Sequence, residues 1–122
     1  MLRYLCARWK SLSHAGAGLA FILKTQPNAR IHLAATVLVV IAAILLHVSH
    51  QDWRWLILAI ALVWVAEILN TAIEYLCDIV MPGPSEKVKR SKDIAAGAVL
   101  ICAIAAAIIG IMVFFPYIRA LF

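Results

Sequence analysis

The sequence predicts an all-α integral membrane protein with three transmembrane helices and an N-terminal amphipathic surface helix. Three observations lead there. The 122 residues are 66% hydrophobic, with a mean hydropathy of +0.99, which excludes an ordinary soluble domain and any disordered class. Three apolar segments, at about residues 31–49, 53–81 and 94–118, reach the roughly 20 residues that a helix needs to cross a bilayer. The basic residues gather almost entirely on one side of the layout those segments imply. No internal repeat or low-complexity linker interrupts the chain, so residues 1–122 are expected to form a single membrane domain.

The first element is a surface helix over about residues 2–24. Leu2, Leu5, Trp9, Leu12, Leu19 and Leu23 fall within about a quarter of the helical wheel, with Arg3, Lys10 and Lys24 well away from them. Such a basic amphipathic helix lies on an anionic leaflet, and Gly16 and Gly18 are candidate breaks within it. The apolar stretch after Arg30 is too long for a signal h-region. It ends in Leu45-Leu46-His47-Val48-Ser49-His50 without a small-residue cleavage pattern, so the first 30 residues read as retained.

Pro27 marks the boundary to the first membrane helix, because the residue before a proline is pushed towards an extended conformation. Arg30 and His32 open that helix, and His47 and His50 close it. The two closing histidines have only Asp52 nearby as a third ligand and read as an interfacial pair. The connection from Ser49 to Asp52 is so short that the first two membrane helices must form an antiparallel hairpin. Cys6, Cys77 and Cys102 make no disulfide framework.

Charge sets the expected orientation. Arg3, Arg8, Lys10, Lys24 and Arg30 precede the first span, and Lys87, Lys89, Arg90 and Lys92 follow the second. Only Arg54 and Arg119 of the 11 basic residues lie on the other side. The positive-inside rule then makes the N-terminus cytoplasmic. Trp53, Trp55, Phe114, Phe115 and Tyr117 fall together at the outer interface, where aromatic belts belong. For the cations of residues 87–92, charge that merely sets topology and cations suited to phosphates are the two readings, and no nucleic-acid partner is expected.

The second membrane helix carries polar residues where lipid forbids them: Glu67, Asn70, Thr71, Glu74 and Asp78. With Glu67 at zero, Asn70 lies at about −60°, Thr71 at about +40°, Glu74 at about −20° and Asp78 at about +20°, so all five share one face. A carboxylate in hydrocarbon costs at least ~2.5 kcal/mol on insertion scales, so the stripe reads as a functional site. Glu67 follows Trp53 by about 21 Å of helix, in the inner half of the bilayer, and Glu74 and Asp78 step out towards the cytoplasm. Pro82, Gly83 and Pro84 end the helix. Residues 86–93 are candidate first turns of the third helix and bring Lys and Arg to the depth of the stripe. That helix contains the small-xxx-small pairs Ala103/Ala107 and Ala106/Gly110. Three helices alone can hardly wall off the stripe, so a homo-oligomer is expected.

Acids, an amide and cations converging at an interface suit phosphoryl transfer, which needs metal to neutralise phosphate charge, cations to hold the nucleotide and a base for the attacking hydroxyl. The chain has no GxxxxGK[ST] and no Gly-rich kinase loop. From the residues alone, a lipid-modifying enzyme and an oligomeric ion or proton pathway both remain open.

The run Glu67-Ile-Leu-Asn-Thr-Ala-Ile-Glu74, then Asp78, then Lys92-Asp-Ile-Ala-Ala-Gly-Ala-Val-Leu100 closely resembles the prokaryotic diacylglycerol kinase family, which includes undecaprenol kinases. The similarity spans nearly the whole chain, including Asn28-Ala-Arg-Ile-His32. The resemblance implies a homotrimer with sites shared between subunits, transferring the γ-phosphate of ATP, with Mg2+, to the hydroxyl of a membrane lipid alcohol. By that resemblance Glu67 is the general base, Glu74 binds metal and Asn70 positions groups between them on the nucleotide side. Lys92 and Asp93 contact ATP, and Glu86 and Arg90 match weaker loop positions. Well-known members carry a metal-holding glutamate where this chain has Gln26, which keeps an oxygen ligand but loses a charge. That departure implies weaker or differently coordinated magnesium, and keeps open a catalytically weakened relative. Diacylglycerol is the expected acceptor and undecaprenol the alternative, the Ala95-Ala96-Gly97-Ala98 run leaning slightly to the latter.

Overall fold

The computed structural model covers residues 1–122 and describes every side chain except those of residues 2–5 and 7. Four helices make up the chain: α1 (Leu2–Thr25), α2 (Pro27–Leu45), α3 (His50–Val80) and α4 (Glu86–Arg119). The last three are long and apolar enough to cross a membrane. α3 packs most extensively on α4, with α2 against α3 and α1 against the α2–α3 pair.

α1 runs unbroken through Gly16 and Gly18, since a mid-helix glycine costs only about 1 kcal/mol relative to alanine. On its predicted apolar face Trp9, Leu12 and Leu19 are exposed and Leu23 is half-buried, and Leu2 and Leu5 lie outside the described side chains. Gln26 is extended (φ −103, ψ 115) and caps both α1 and α2. Pro27 then occupies the first turn of α2, where its missing N–H costs nothing. α2 therefore begins four residues before the apolar segment and takes Asn28, Arg30 and His32 into the helix. Arg30 reaches back to cap α1, its Nε donating to the Leu23 carbonyl at 3.0 Å and a terminal nitrogen to the Lys24 carbonyl at 2.5 Å.

α2 also ends earlier than residue 49. His47 adopts φ 50, the Val48 N–H donates to the Ala43 carbonyl at 3.0 Å and the His47 N–H to the Ile44 carbonyl at 3.2 Å. This is a Schellman stop with histidine in the place usually taken by glycine. Val48 and Ala43 both bury there, in a cluster with Leu56 and Val113. Ser49 caps α3 by accepting from the Asp52 N–H at 3.2 Å.

Tyr117 ties the end of α4 to this turn. Its hydroxyl donates to Asp52 Oδ2 at 2.6 Å and accepts from the Ser49 N–H at 3.0 Å. Tyr117→Phe removes both bonds and is expected to lower thermal stability by about 1 kcal/mol without changing turnover; thermal unfolding in detergent beside an activity assay checks it.

At the other end Pro82, Gly83 and Pro84 leave only residues 81–85 between helices, because α4 starts at Glu86 and residues 86–93 form its first turns, ahead of the apolar run from 94, as the sequence offered. The charged residues ahead of the apolar run are good helix formers, and Glu86 and Arg90 pair one turn apart at 3.2 Å. Lys92 and Asp93 thus sit on a rigid helix rather than a loop.

Candidate active site

The polar stripe of α3 turns inward and grades from dry to wet. Glu67, Asn70 and Thr71 are buried at 1%, 6% and 3% exposure, Glu74 is half-buried and Asp78 exposed. Four of these residues pair within α3. The Thr71 hydroxyl donates to the Glu67 backbone carbonyl at 3.0 Å, so its polarity is consumed by its own helix. Asn70 Nδ2 donates to Glu74 Oε1 at 3.0 Å, fixing that carboxyl at the wet edge.

Two buried oxygens have no hydrogen-bond partner among the described residues: Glu67 Oε2 and Asn70 Oδ1. Such groups cost free energy when left unpaired, so in a folded chain they mark places prepared for something else. Both residues line one cavity of about 230 Å³, together with Asn28 and His32 of α2 and Ala96 and Val99 of α4. His32 Nε2 stands 3.8 Å from Glu67 Oε2.

His32 is the site residue that sequence reasoning missed. The signal was present in the hairpin. In antiparallel helices, residues equally far from the turn lie at equal depth. His32 lies as far before the 46–49 turn as Glu67 lies after it, to within about one helical turn. The Trp64–Thr36 bond at 3.1 Å confirms that register.

A second cavity, of about 300 Å³, opens where α3 gives way to α4. It is lined by Asp78, the 81–85 turn, Lys89, Lys92 and Asp93. Lys92 Nζ donates to Asp78 Oδ1 at 2.5 Å, so the cation is held on the same helix face that carries Glu67 and Glu74. Lys89 joins this lining although the motif comparison did not single it out. Glu86 and Arg90 bond to each other, are exposed and do not line this cavity. Gln26 is half-buried at the α1–α2 junction. Five residues before it, Phe21 packs edge-on against Tyr75, with ring centroids 5.4 Å apart, which brings the end of α1 beside the Glu74 turn.

The donors near Glu74 fit a hard divalent cation. The Glu74 carboxylate and the unpartnered Asn70 Oδ1 are both oxygen donors. Among the described residues no three His, Cys, Asp or Glu side chains converge as a closed cage. Magnesium is usually held in this open way, by one or two carboxylates with phosphate oxygens completing its shell.

Comparison with known proteins agrees with this geometry. Residues 13–114 match the family described as prokaryotic diacylglycerol kinase. An undecaprenol kinase from Bacillus subtilis is 37% identical over 108 residues, 88% of either chain. A diacylglycerol kinase from Synechocystis is 45% identical over 102 residues, which are 82% of this chain and 58% of that one. Since that match takes in both the stripe and the Lys92-Asp93 turn, the chain belongs to the prokaryotic diacylglycerol kinase family and is a membrane lipid kinase that uses ATP.

Proposed function

We propose that this kinase phosphorylates the hydroxyl of diacylglycerol, giving phosphatidic acid, in the cytoplasmic membrane of a bacterium with its N-terminus in the cytoplasm. One observation carries the assignment of the chemistry: the buried, unpartnered Glu67 Oε2 faces a cavity at the dry end of a stripe whose wet end holds Asp78 and Lys92. A lipid hydroxyl reaches the dry end from the bilayer, and a nucleotide reaches the wet end from water.

In the reaction the lipid O–H gives its proton to the Glu67 carboxylate as its oxygen bonds to the γ-phosphorus. The bond from that phosphorus to the β-phosphate bridging oxygen breaks, and ADP leaves with the electron pair. Glu67 serves as general base, a role that asks for a carboxylate within hydrogen-bond reach of the hydroxyl. Lys92 exchanges Asp78 for phosphate oxygens and steadies their charge, with Asp93 at the nucleotide and Glu86 and Arg90 at its periphery. Asn70 keeps Glu74 in place. Glu74 and Gln26 would hold magnesium, which when bound neutralises phosphate charge. The residues act in a homotrimer, which supplies the cover that a single chain leaves off its α2, α3 and α4 faces.

Undecaprenol is the second acceptor to test, because the relative matched over 88% of both chains is an undecaprenol kinase. Purified protein given labelled ATP and matched concentrations of diacylglycerol and undecaprenol decides between them. Preferred labelling of diacylglycerol supports the reading, preferred labelling of undecaprenol replaces the acceptor, and release of phosphate to water alone overturns lipid transfer. Gln26→Glu is expected to lower the magnesium concentration for half-maximal activity several-fold, since it restores a charge to the ligand set. An unmoved magnesium titration removes Gln26 from the metal site.

A further inference from the structure

The separation between His32 and Glu67 has a chemical meaning beyond burial. At 3.8 Å, His32 Nε2 and Glu67 Oε2 are too far apart for a direct hydrogen bond. They are close enough for one atom to bond to both. An oxygen about 2.8 Å from each subtends an angle of about 85° between them, open enough to accept from one and donate to the other. Glu67 Oε2 is buried and lacks a partner, so the acceptor half of that bridge is waiting.

The helical turn that carries His32 is held in register by a relay of bonds that ends on its backbone carbonyl. Trp64 Nε1 donates to Thr36 Oγ1 at 3.1 Å, and the Thr36 hydroxyl donates to the His32 backbone carbonyl at 2.7 Å. Trp64 lies one turn before Glu67 on α3, so this relay locks the turn that carries His32 to the turn that carries the base. The cavity beside the pair, at about 230 Å³, exceeds the roughly 30 Å³ share of one water several times over and has room for a small headgroup. His32 and Ala103 also line a neighbouring apolar cavity of about 410 Å³ between α2, α3 and α4. The polar space by Glu67 therefore adjoins apolar space at His32, an arrangement that suits an amphiphile.

We propose that His32 is a substrate-positioning residue. Its Nε2–H donates to the oxygen of the lipid hydroxyl while that hydroxyl donates its proton to Glu67 Oε2, so the two side chains grip one atom and aim its remaining lone pair at the phosphate. The inference rests on the lipid-kinase chemistry above and adds the group that orients the nucleophile. A neutral imidazole protonated on Nε2 fills this role, and it leaves Glu67 as the sole proton acceptor.

The test compares His32→Leu, which removes the donor, His32→Gln, whose amide nitrogen reaches the place of Nε2, and His32→Asn, whose amide stops short. With wild type showing transfer, His32→Leu is expected to lose about tenfold or more in kcat/KM for the lipid alcohol, with KM for ATP unchanged. It is also expected to divert a larger share of γ-phosphate to water, because the lipid oxygen is no longer held. His32→Gln should return within about threefold of wild type, and His32→Asn should not. If His32→Leu does not fold, the Gln and Asn pair alone carries the comparison. Wild-type lipid kinetics in His32→Leu, no difference between Gln and Asn, or an equal rise in both KM values would overturn the proposal. A wild-type protein that phosphorylates no lipid alcohol would overturn the underlying kinase chemistry instead, and is told apart by that control.

Discussion

Glu67→Gln is expected to lower kcat for lipid phosphorylation by about 10²- to 10⁴-fold, the range associated with loss of a general base, while KM for ATP stays within a factor of two or so. The amide has the shape of the carboxyl, so the cavity and the packing of α3 against α4 are kept. The same substitution is expected to raise thermal stability. Glu67 is 1% exposed, and a buried carboxylate costs more to take out of water than a neutral amide of the same shape. Opposite movement of activity and stability is the signature of a residue kept for chemistry. Steady-state kinetics and a melting curve on one preparation check both halves. Retained turnover would remove Glu67 as the base, and a large loss of stability would mark it as structural.

Glu74→Gln is expected to act differently. Its Oε1 accepts from Asn70 Nδ2 at 3.0 Å, and a glutamine can preserve that bond through its carbonyl oxygen. Folding should therefore survive, with the carboxylate charge alone removed. The magnesium requirement for half-maximal activity is expected to rise by about 10- to 100-fold, as for perturbed metal sites generally, with partial recovery of turnover at high magnesium. Recovery separates it from Glu67→Gln, which no metal concentration should restore. A magnesium titration unchanged from wild type would place the cation elsewhere.

The helices and the polar face were legible because they are local properties. Apolar length marks a span whatever its neighbours, and a periodicity of about 3.6 residues puts Glu67, Asn70, Thr71, Glu74 and Asp78 on one side of a helix without knowledge of what that side meets. Hydropathy is a poor guide to where a helix stops. α4 extends back to Glu86 through Lys87, Lys89 and Arg90, since charged side chains that leave the membrane remain good helix formers in water. α2 stops at Leu45 despite apolar residues beyond it, because a Schellman turn with His47 at φ 50 is needed to bring α3 back.

The sequence by itself determined that this chain crosses a membrane and that its second crossing carries acids, an amide and a hydroxyl along one helix face. Chain length, hydrophobicity and helical period act residue by residue and suffice for that. Only the tertiary structure decided that His32 stands across from Glu67 and that Lys92 meets Asp78. Those pairings depend on how far one helix slides and turns against the next, which is set by the Trp64–Thr36 bond, the Tyr117 clasp and the short turns. A sliding error of one helical turn, about 5.4 Å, would separate every one of them while leaving each helix unchanged.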